Sequence, residues 1–321
     1  MRLRPPRPLQ GRTHRLAVSI SWSPFGSQVV AYTSEVRRIA ALPRRVWSDE
    51  DAARLAAMLT RELKTPQGTM SLRPVQAIAL YEAMEIGGLC GAIRVGGGKS
   101  LLSFLLPLVL EAKNPILLLP AALIEKTWID RENLAKHWRL PTNLQLISYE
   151  MLGLVQSARK LDYIRPDFIG ADECHMLKSR KAGRTKRVMR YMREHPETRV
   201  AVFSGTLMKG SIKDFVHLIR WALKGNAPVP MTDDEAATWA DALDEKVNPL
   251  GRRQPDALFD LAPEGRRVDF STSKLTQARR VFQSRLLETK GFVASAKNDG
   301  VTCSLRISAL EYRPAPITEQ E

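Results

Sequence analysis

The sequence predicts an α/β fold built on a doubly wound parallel sheet, and two patterns carry that expectation. Between residues 71 and 222, short and largely apolar runs alternate with amphipathic, helix-like stretches. The runs are Leu89–Val95, Ile116–Leu119, Leu144–Ile147, Phe168–Ala171 and Val200–Phe203. Strands buried on both faces read this way, and the stretches between them supply the crossover helices of a parallel sheet. Right-handed crossovers bring the C-terminal ends of such strands to one edge, where ligands bind.

The elements follow in chain order. The first 45 residues are rich in Pro and Arg and contain the alternating stretch Leu16–Ile20, which predicts a basic arm with a single strand or hairpin. Ser48 is the N-cap expected for a helix from Asp49 to Lys64, whose acidic first turn suits the helix dipole. A Pro66-Gln67-Gly68 break closes this N-terminal unit, residues 1–68, and the sheet domain is expected over 69–222. Pro and Gly punctuate residues 223–265, with six acids and one base between Thr232 and Lys246; a helical insertion with surface loops is expected there. Residues 266–321 read as a basic helix with Leu275, Val281, Phe282 and Leu286 on one side, then a strand at Thr302–Ile307. The C-terminal third is thus expected to be a mostly helical appendage.

Composition narrows the partners. Forty-nine Lys and Arg against 34 Asp and Glu give +15, which favours a polyanion. The longest nearly apolar run, Leu101–Leu110, is interrupted by Ser103 and Pro107 and is about half a membrane span, so no membrane role is expected. The basic N-terminus has no apolar core behind it, so no secretion signal is read. Cys90, Cys174 and Cys303 are too few and scattered for a disulfide framework or a zinc cluster, and a reducing, cytoplasmic setting is expected.

The strongest local signal is Val95-Gly96-Gly97-Gly98-Lys99-Ser100, between a buried strand and the helix opening at Leu101. A polyphosphate needs many backbone N–H groups converging on it, and residues without a Cβ let the chain wrap that closely. The helix N-terminus adds partial positive charge. Lys99 would give a point charge to the β and γ phosphates, and the Ser100 hydroxyl would ligate Mg²⁺. Ile93 breaks the strict G-x-x-x-x-G-K-[ST] pattern at its first position. Downstream, Phe168-Ile169-Gly170-Ala171 runs into Asp172-Glu173-Cys174-His175. An apolar strand ending in paired carboxylates puts Asp172 at the ligand edge beside Lys99, where it could hold the metal while Glu173 orients or deprotonates water. Zinc binding by Cys174 and His175 lacks a second ligand pair.

These two segments resemble motifs I and II of superfamily 2 helicases and translocases. Leu72-Arg73-Pro74-Val75-Gln76 resembles the Q motif, and Leu117-Leu118-Leu119-Pro120 with Leu123 and Lys126 resembles motif Ia. Ile147-Ser148-Tyr149-Glu150 resembles motif Ib, and Phe203-Ser204-Gly205-Thr206 resembles motif III. All six stand in family order, and the nearest likeness is to Swi/Snf-type helicases of bacteriophages. The resemblance implies the first RecA-like domain of a P-loop NTPase, with ATP and Mg²⁺ as cofactors and DNA as partner, RNA being left open. It implies ATP contacts by Gln76 at the adenine and by Gly96, Gly97, Gly98, Lys99 and Ser100 at the phosphates. Metal would fall to Ser100 and Asp172, and catalysis to Glu173 with Asp172 and Lys99. His175, Ser204 and Thr206 would couple nucleotide state to nucleic-acid grip, and Pro120, Lys126, Ser148 and Tyr149 would touch the nucleic-acid backbone.

Such motors use two RecA-like domains, the second carrying arginine fingers in a motif resembling Q-x-x-G-R-x-x-R. After residue 206 no such run occurs, and Gly251-Arg252-Arg253 is the nearest candidate. The expectation is therefore a first motor domain with a linker, weak hydrolysis by this chain alone, and a second polypeptide completing the engine. After motif II come Lys178, Arg180, Lys181, Arg184, Lys186, Arg187, Arg190 and Arg193, with no acid among them. Their spacing lines Arg184, Arg187 and Arg190 on one helix face, the arrangement expected of a phosphate-backbone contact as well as of a solvated basic face. A non-motor nucleic-acid-binding scaffold with a nucleotide-sensing domain is the alternative reading.

Overall fold

The structure, a computed structural model, describes residues 34–93, 96–205, 211–244, 255–263 and 273–294. The expected strand at 16–20, the strand at Thr302–Ile307, Thr206 and Gly251–Arg253 lie outside the described residues. In chain order the helices are α1 (Ser34–Ala41), α2 (Asp49–Leu63), α3 (Pro74–Ile86), α4 (Lys99–Val109), α5 (Ile124–Ala135), α6 (Tyr149–Gly153), α7 (Lys160–Ile164), α8 (Gly183–Glu194), α9 (Val216–Leu223), α10 (Asp233–Leu243) and α11 (Lys274–Leu287). The strands are β1 (Leu89–Ala92), β2 (Pro115–Leu119), β3 (Gln145–Ser148), β4 (Phe168–Ala171), β5 (Arg199–Phe203) and β6 (Phe292–Ala294).

All five runs that the sequence marks as strands are strands. Together with β6 they form one parallel sheet in the order β3-β2-β4-β5-β1-β6. Each strand divides its side chains between two apolar layers, as a period of two requires. Leu89, Ile93, Phe168, Ala201 and Phe203 pack against α2, α3 and α4 on one face. Cys90, Ala92, Ile116, Leu118, Ile169, Val200 and Val202 pack on the other, against α6, α8 and α9. Burial on both sides is why these strands carry continuous apolar runs rather than alternation. The run at Leu101–Leu106 is the buried body of α4, and among the described residues no helix is long and apolar enough to cross a membrane.

The helix expected from Asp49 forms as α2, and the Ser48 hydroxyl accepts the Asp51 N–H at 3.0 Å. Two expectations change. The arm is not separate over its whole length, because residues 34–41 form α1, whose Val36 and Ile39 join the main core. The C-terminal region is no appendage either. Trp239 and Leu243 of α10 and Phe282 and Leu286 of α11 lie in that same core, and β6 extends the sheet beside β1. The physical reason is a set of buried charges. The Glu82 carboxylate, fully buried on α3, accepts from Arg45 Nε and Nη2 at 2.6 Å each, from Trp47 Nε1 at 3.1 Å and from the Gly291 N–H at 2.7 Å. Arg45 also donates to the carbonyls of Leu287, Thr289 and Phe292. A buried carboxylate is tolerated only when so satisfied, and satisfying it binds both flanks to the sheet domain.

Candidate functional site

β1 and β4 end at the same sheet edge, with β5 between them. Past β1 the chain turns through Gly96 and Gly98, at φ 77° and 91°, and enters α4 at Lys99. Residues with a Cβ rarely adopt these angles, and at Gly98 an added Cβ would lie 2.0 Å from Gln76 Nε2. Two side chains at the start of α3 brace this turn. Gln76 accepts the Arg73 N–H at 2.9 Å through its oxygen and points its Nε2 toward the Gly97 carbonyl at 3.5 Å. Arg73 Nη1 donates to the Gly96 carbonyl at 3.2 Å. Gln76 is 5% exposed and spends its amide on the turn, so its place is behind the glycines. Arg73 stands in the run Leu72–Gln76, but its reach to the Gly96 carbonyl depends on the fold and leaves no signal in the sequence.

At the end of β4 the Asp172 N–H extends the ladder by donating to the Leu118 carbonyl at 2.8 Å. Glu173 then adopts φ 48° and ψ 50°. The two ends meet at Lys99, whose Nζ lies 2.6 Å from Glu173 Oε1 and 3.9 Å from Asp172 Oδ1. Asp172 Oδ1 accepts the Glu173 N–H at 3.0 Å, and His175 Nδ1 lies 3.3 Å from Glu173 Oε2. Burial pushes the Asp172 carboxyl above its ordinary range; the Lys99 ammonium pulls it back, and the Glu173 charge pushes it up again. The site is therefore a partly desolvated place where a carboxylate gains from an additional cation.

The donor set can be compared with a metal and a polyphosphate. Among the described residues no group of three or more His, Cys, Asp or Glu side chains could hold a metal. Ser100, in the first turn of α4, and Asp172 offer two oxygen donors, which fits an ion that takes most of its ligands from phosphate and water, as Mg²⁺ does. Gly96 is exposed with open space where a Cβ would be, and the first-turn amides of α4 have no partner within the helix. These groups fit a polyphosphate held by Lys99.

The other candidate residues divide. Ser204 is buried at the end of β5, between the two halves of the site, with its N–H on the Gly91 carbonyl at 3.1 Å. Pro120 ends β2 at the same edge, and Lys126 is exposed on α5. Ser148 and Tyr149 are corrected. Ser148 is buried and caps α6 by accepting the Met151 N–H at 3.0 Å, and Tyr149 is fully buried with its hydroxyl donating to the Asp172 carbonyl at 2.7 Å. The arginine face of α8 makes bonds within the chain. Arg184 Nε donates to the Met176 carbonyl at 2.7 Å, and Arg187 Nη1 to the Leu152 carbonyl. Arg190 binds the Asp162 carboxylate at 2.6 Å and the Ala158 carbonyl at 3.0 Å. Arg187 and Arg190 fasten α8 to the α6–α7 region and Arg184 fastens it to the turn after β4, where loop carbonyls need donors. The exposed bases of the segment are Lys178, Lys181, Lys186 and Arg193.

Fold and site together define an α/β protein with a parallel sheet and a lysine set against two carboxylates at the C-terminal ends of its strands. Neither a protein-family model nor a curated protein matches the sequence.

Proposed function

We propose that this chain binds ATP with Mg²⁺ at the sheet edge and hydrolyses it as a superfamily 2 helicase-like subunit acting on DNA. The observation that supports this most is the approach of Lys99 to Glu173 and Asp172 at 2.6 and 3.9 Å, beside a glycine turn and a helix N-terminus. Lys99 exchanges Glu173 for the β and γ phosphates, which frees Glu173 to orient the attacking water and accept its proton. Ser100 and Asp172 hold the ion, and when bound Mg²⁺ neutralises charge on the phosphates. Residues 96–98 supply the close backbone approach. DNA contact falls to the exposed bases Lys126, Lys178, Lys181, Lys186 and Arg193 rather than to the α8 arginines. A second RecA-like domain would supply the arginine fingers, each worth about 10³–10⁵ in rate in related systems.

The alternative, a non-motor nucleic-acid-binding scaffold with a nucleotide-sensing domain, would bind the nucleotide with the same residues. Equilibrium binding of MgATP tests the shared premise. Lys99→Ala is expected to bind about 10- to 100-fold more weakly than the parent, the range for losing a hydrogen bond to a charged group. Equal binding by both would remove Lys99 from the site. Hydrolysis that rises with added DNA distinguishes motor from scaffold.

A further inference from the structure

Tyr149 is a buried tyrosine whose hydroxyl reaches across from the start of α6 to the backbone of the carboxylate turn. Its Oη donates to the Asp172 carbonyl at 2.7 Å. That carbonyl belongs to the peptide unit whose N–H is that of Glu173, so holding it restricts rotation about the Glu173 N–Cα bond. The next peptide unit is held as well, because the Met176 N–H donates to the Glu173 carbonyl at 2.9 Å. Both planes flanking the Glu173 Cα are therefore fixed. They hold Glu173 at φ 48° and ψ 50°, a region sparsely populated by residues with a Cβ. Among the described residues three other non-glycines have positive φ, and all three follow helices: Glu111 after α4, Arg165 after α7 and Lys224 after α9. Helix ends commonly turn this way, whereas Glu173 follows a strand and carries the carboxylate that meets Lys99. The rest of the turn is held from the same side, with Arg184 on the Met176 carbonyl and Thr185 and His217 on the Leu177 carbonyl.

We infer that Tyr149 is a positioning residue for hydrolysis: its hydroxyl holds the Asp172–Glu173 peptide so that the Glu173 carboxylate stays at Lys99 and in line for water. Burial among the core residues pushes the phenol up, which favours its protonated, donating form. The inference rests on the ATPase reading, and Tyr149→Phe separates the two while keeping the ring that fills the core.

In the full chain, single-turnover hydrolysis of MgATP by Tyr149→Phe is expected to fall about tenfold or more, with MgATP affinity within about twofold of the parent. Amide exchange at residues 173–176 is expected to quicken by about tenfold while β1 and β4 keep their protection. A hydrolysis rate within about twofold of an active parent overturns the positioning role. Exchange that quickens throughout the sheet also overturns it, because that is what loss of a merely structural hydrogen bond would do. A parent that neither binds nor hydrolyses MgATP overturns the ATPase reading and the inference with it, an outcome distinct from an active parent beside an equally active variant.

Discussion

Asp172 shows at the scale of one residue how the site trades stability for chemistry. Its carboxyl is raised by burial, so the folded chain holds the proton more tightly than the unfolded chain does. The stabilisation from that group is present below the ordinary carboxylate range and lost as pH rises through the raised value. At neutral pH the ionised carboxylate therefore costs the fold. Asp172→Asn is expected to melt at a higher temperature than the parent at pH 7, with the gap closing as the pH falls below about 4. Its hydrolysis is expected to fall about 10²-fold or more. Thermal melts across pH with a single-turnover assay check both, and a variant that is less stable at pH 7 contradicts the account. Lys99, Asp172 and Glu173 were legible in the sequence because their chemistry depends on local context, a glycine turn before a helix and a strand ending in acids. Tyr149 was not, because its role depends on which carbonyl its hydroxyl reaches after β3 and β4 take their places in the sheet.

At the scale of elements, spacing placed Arg184, Arg187 and Arg190 on one face of α8 but could not say what that face meets. The face meets α6, the loop before α7 and the turn after β4, whose carbonyls the arginines satisfy. α9 makes a related contact. His217 is 3% exposed and uses Nε2 on the Leu177 carbonyl at 3.0 Å, with Trp221 edge-on to its ring. Burial lowers its pKa to about 4; the Leu177 carbonyl and Asp233 act upward, and Arg180 and Arg220 downward. A depressed folded value means that the unfolded chain takes the proton first, so this stabilisation is present above about pH 6.5 and lost as pH falls toward 4. The full effect is on the order of 3 kcal/mol. His217→Gln, which keeps an N–H for the Leu177 carbonyl, is expected to flatten the decline between about pH 6.5 and 4 in denaturant titrations. Parallel curves for parent and variant would contradict it. The five strands from Leu89 to Phe203 were legible because burial on both faces writes itself as apolar runs. β6 was not, being three residues long after a basic helix and owing its place to its pairing with β1.

At the scale of the whole molecule, the sequence divides at Gly68 and again near residue 222, and the fold ignores both divisions. α1 and α11 share the core beneath the sheet, and Glu82 gathers Arg45, Trp47 and Gly291 from either end of the described chain into one buried knot. Punctuation by Pro and Gly marks loops, and long-range pairing decides which loops separate domains. The same sheet brings Lys99 and Asp172 together from strands that are not neighbours, so the site is a product of topology as much as of motif. The central claim is that this site hydrolyses ATP through Glu173. Single-turnover hydrolysis of MgATP by the parent and by Glu173→Gln, with binding measured on both, tests it most directly. The account predicts slow hydrolysis by the parent, a further loss of about 10²–10⁴ in the variant, and binding retained in both. Equal hydrolysis by parent and Glu173→Gln would contradict it.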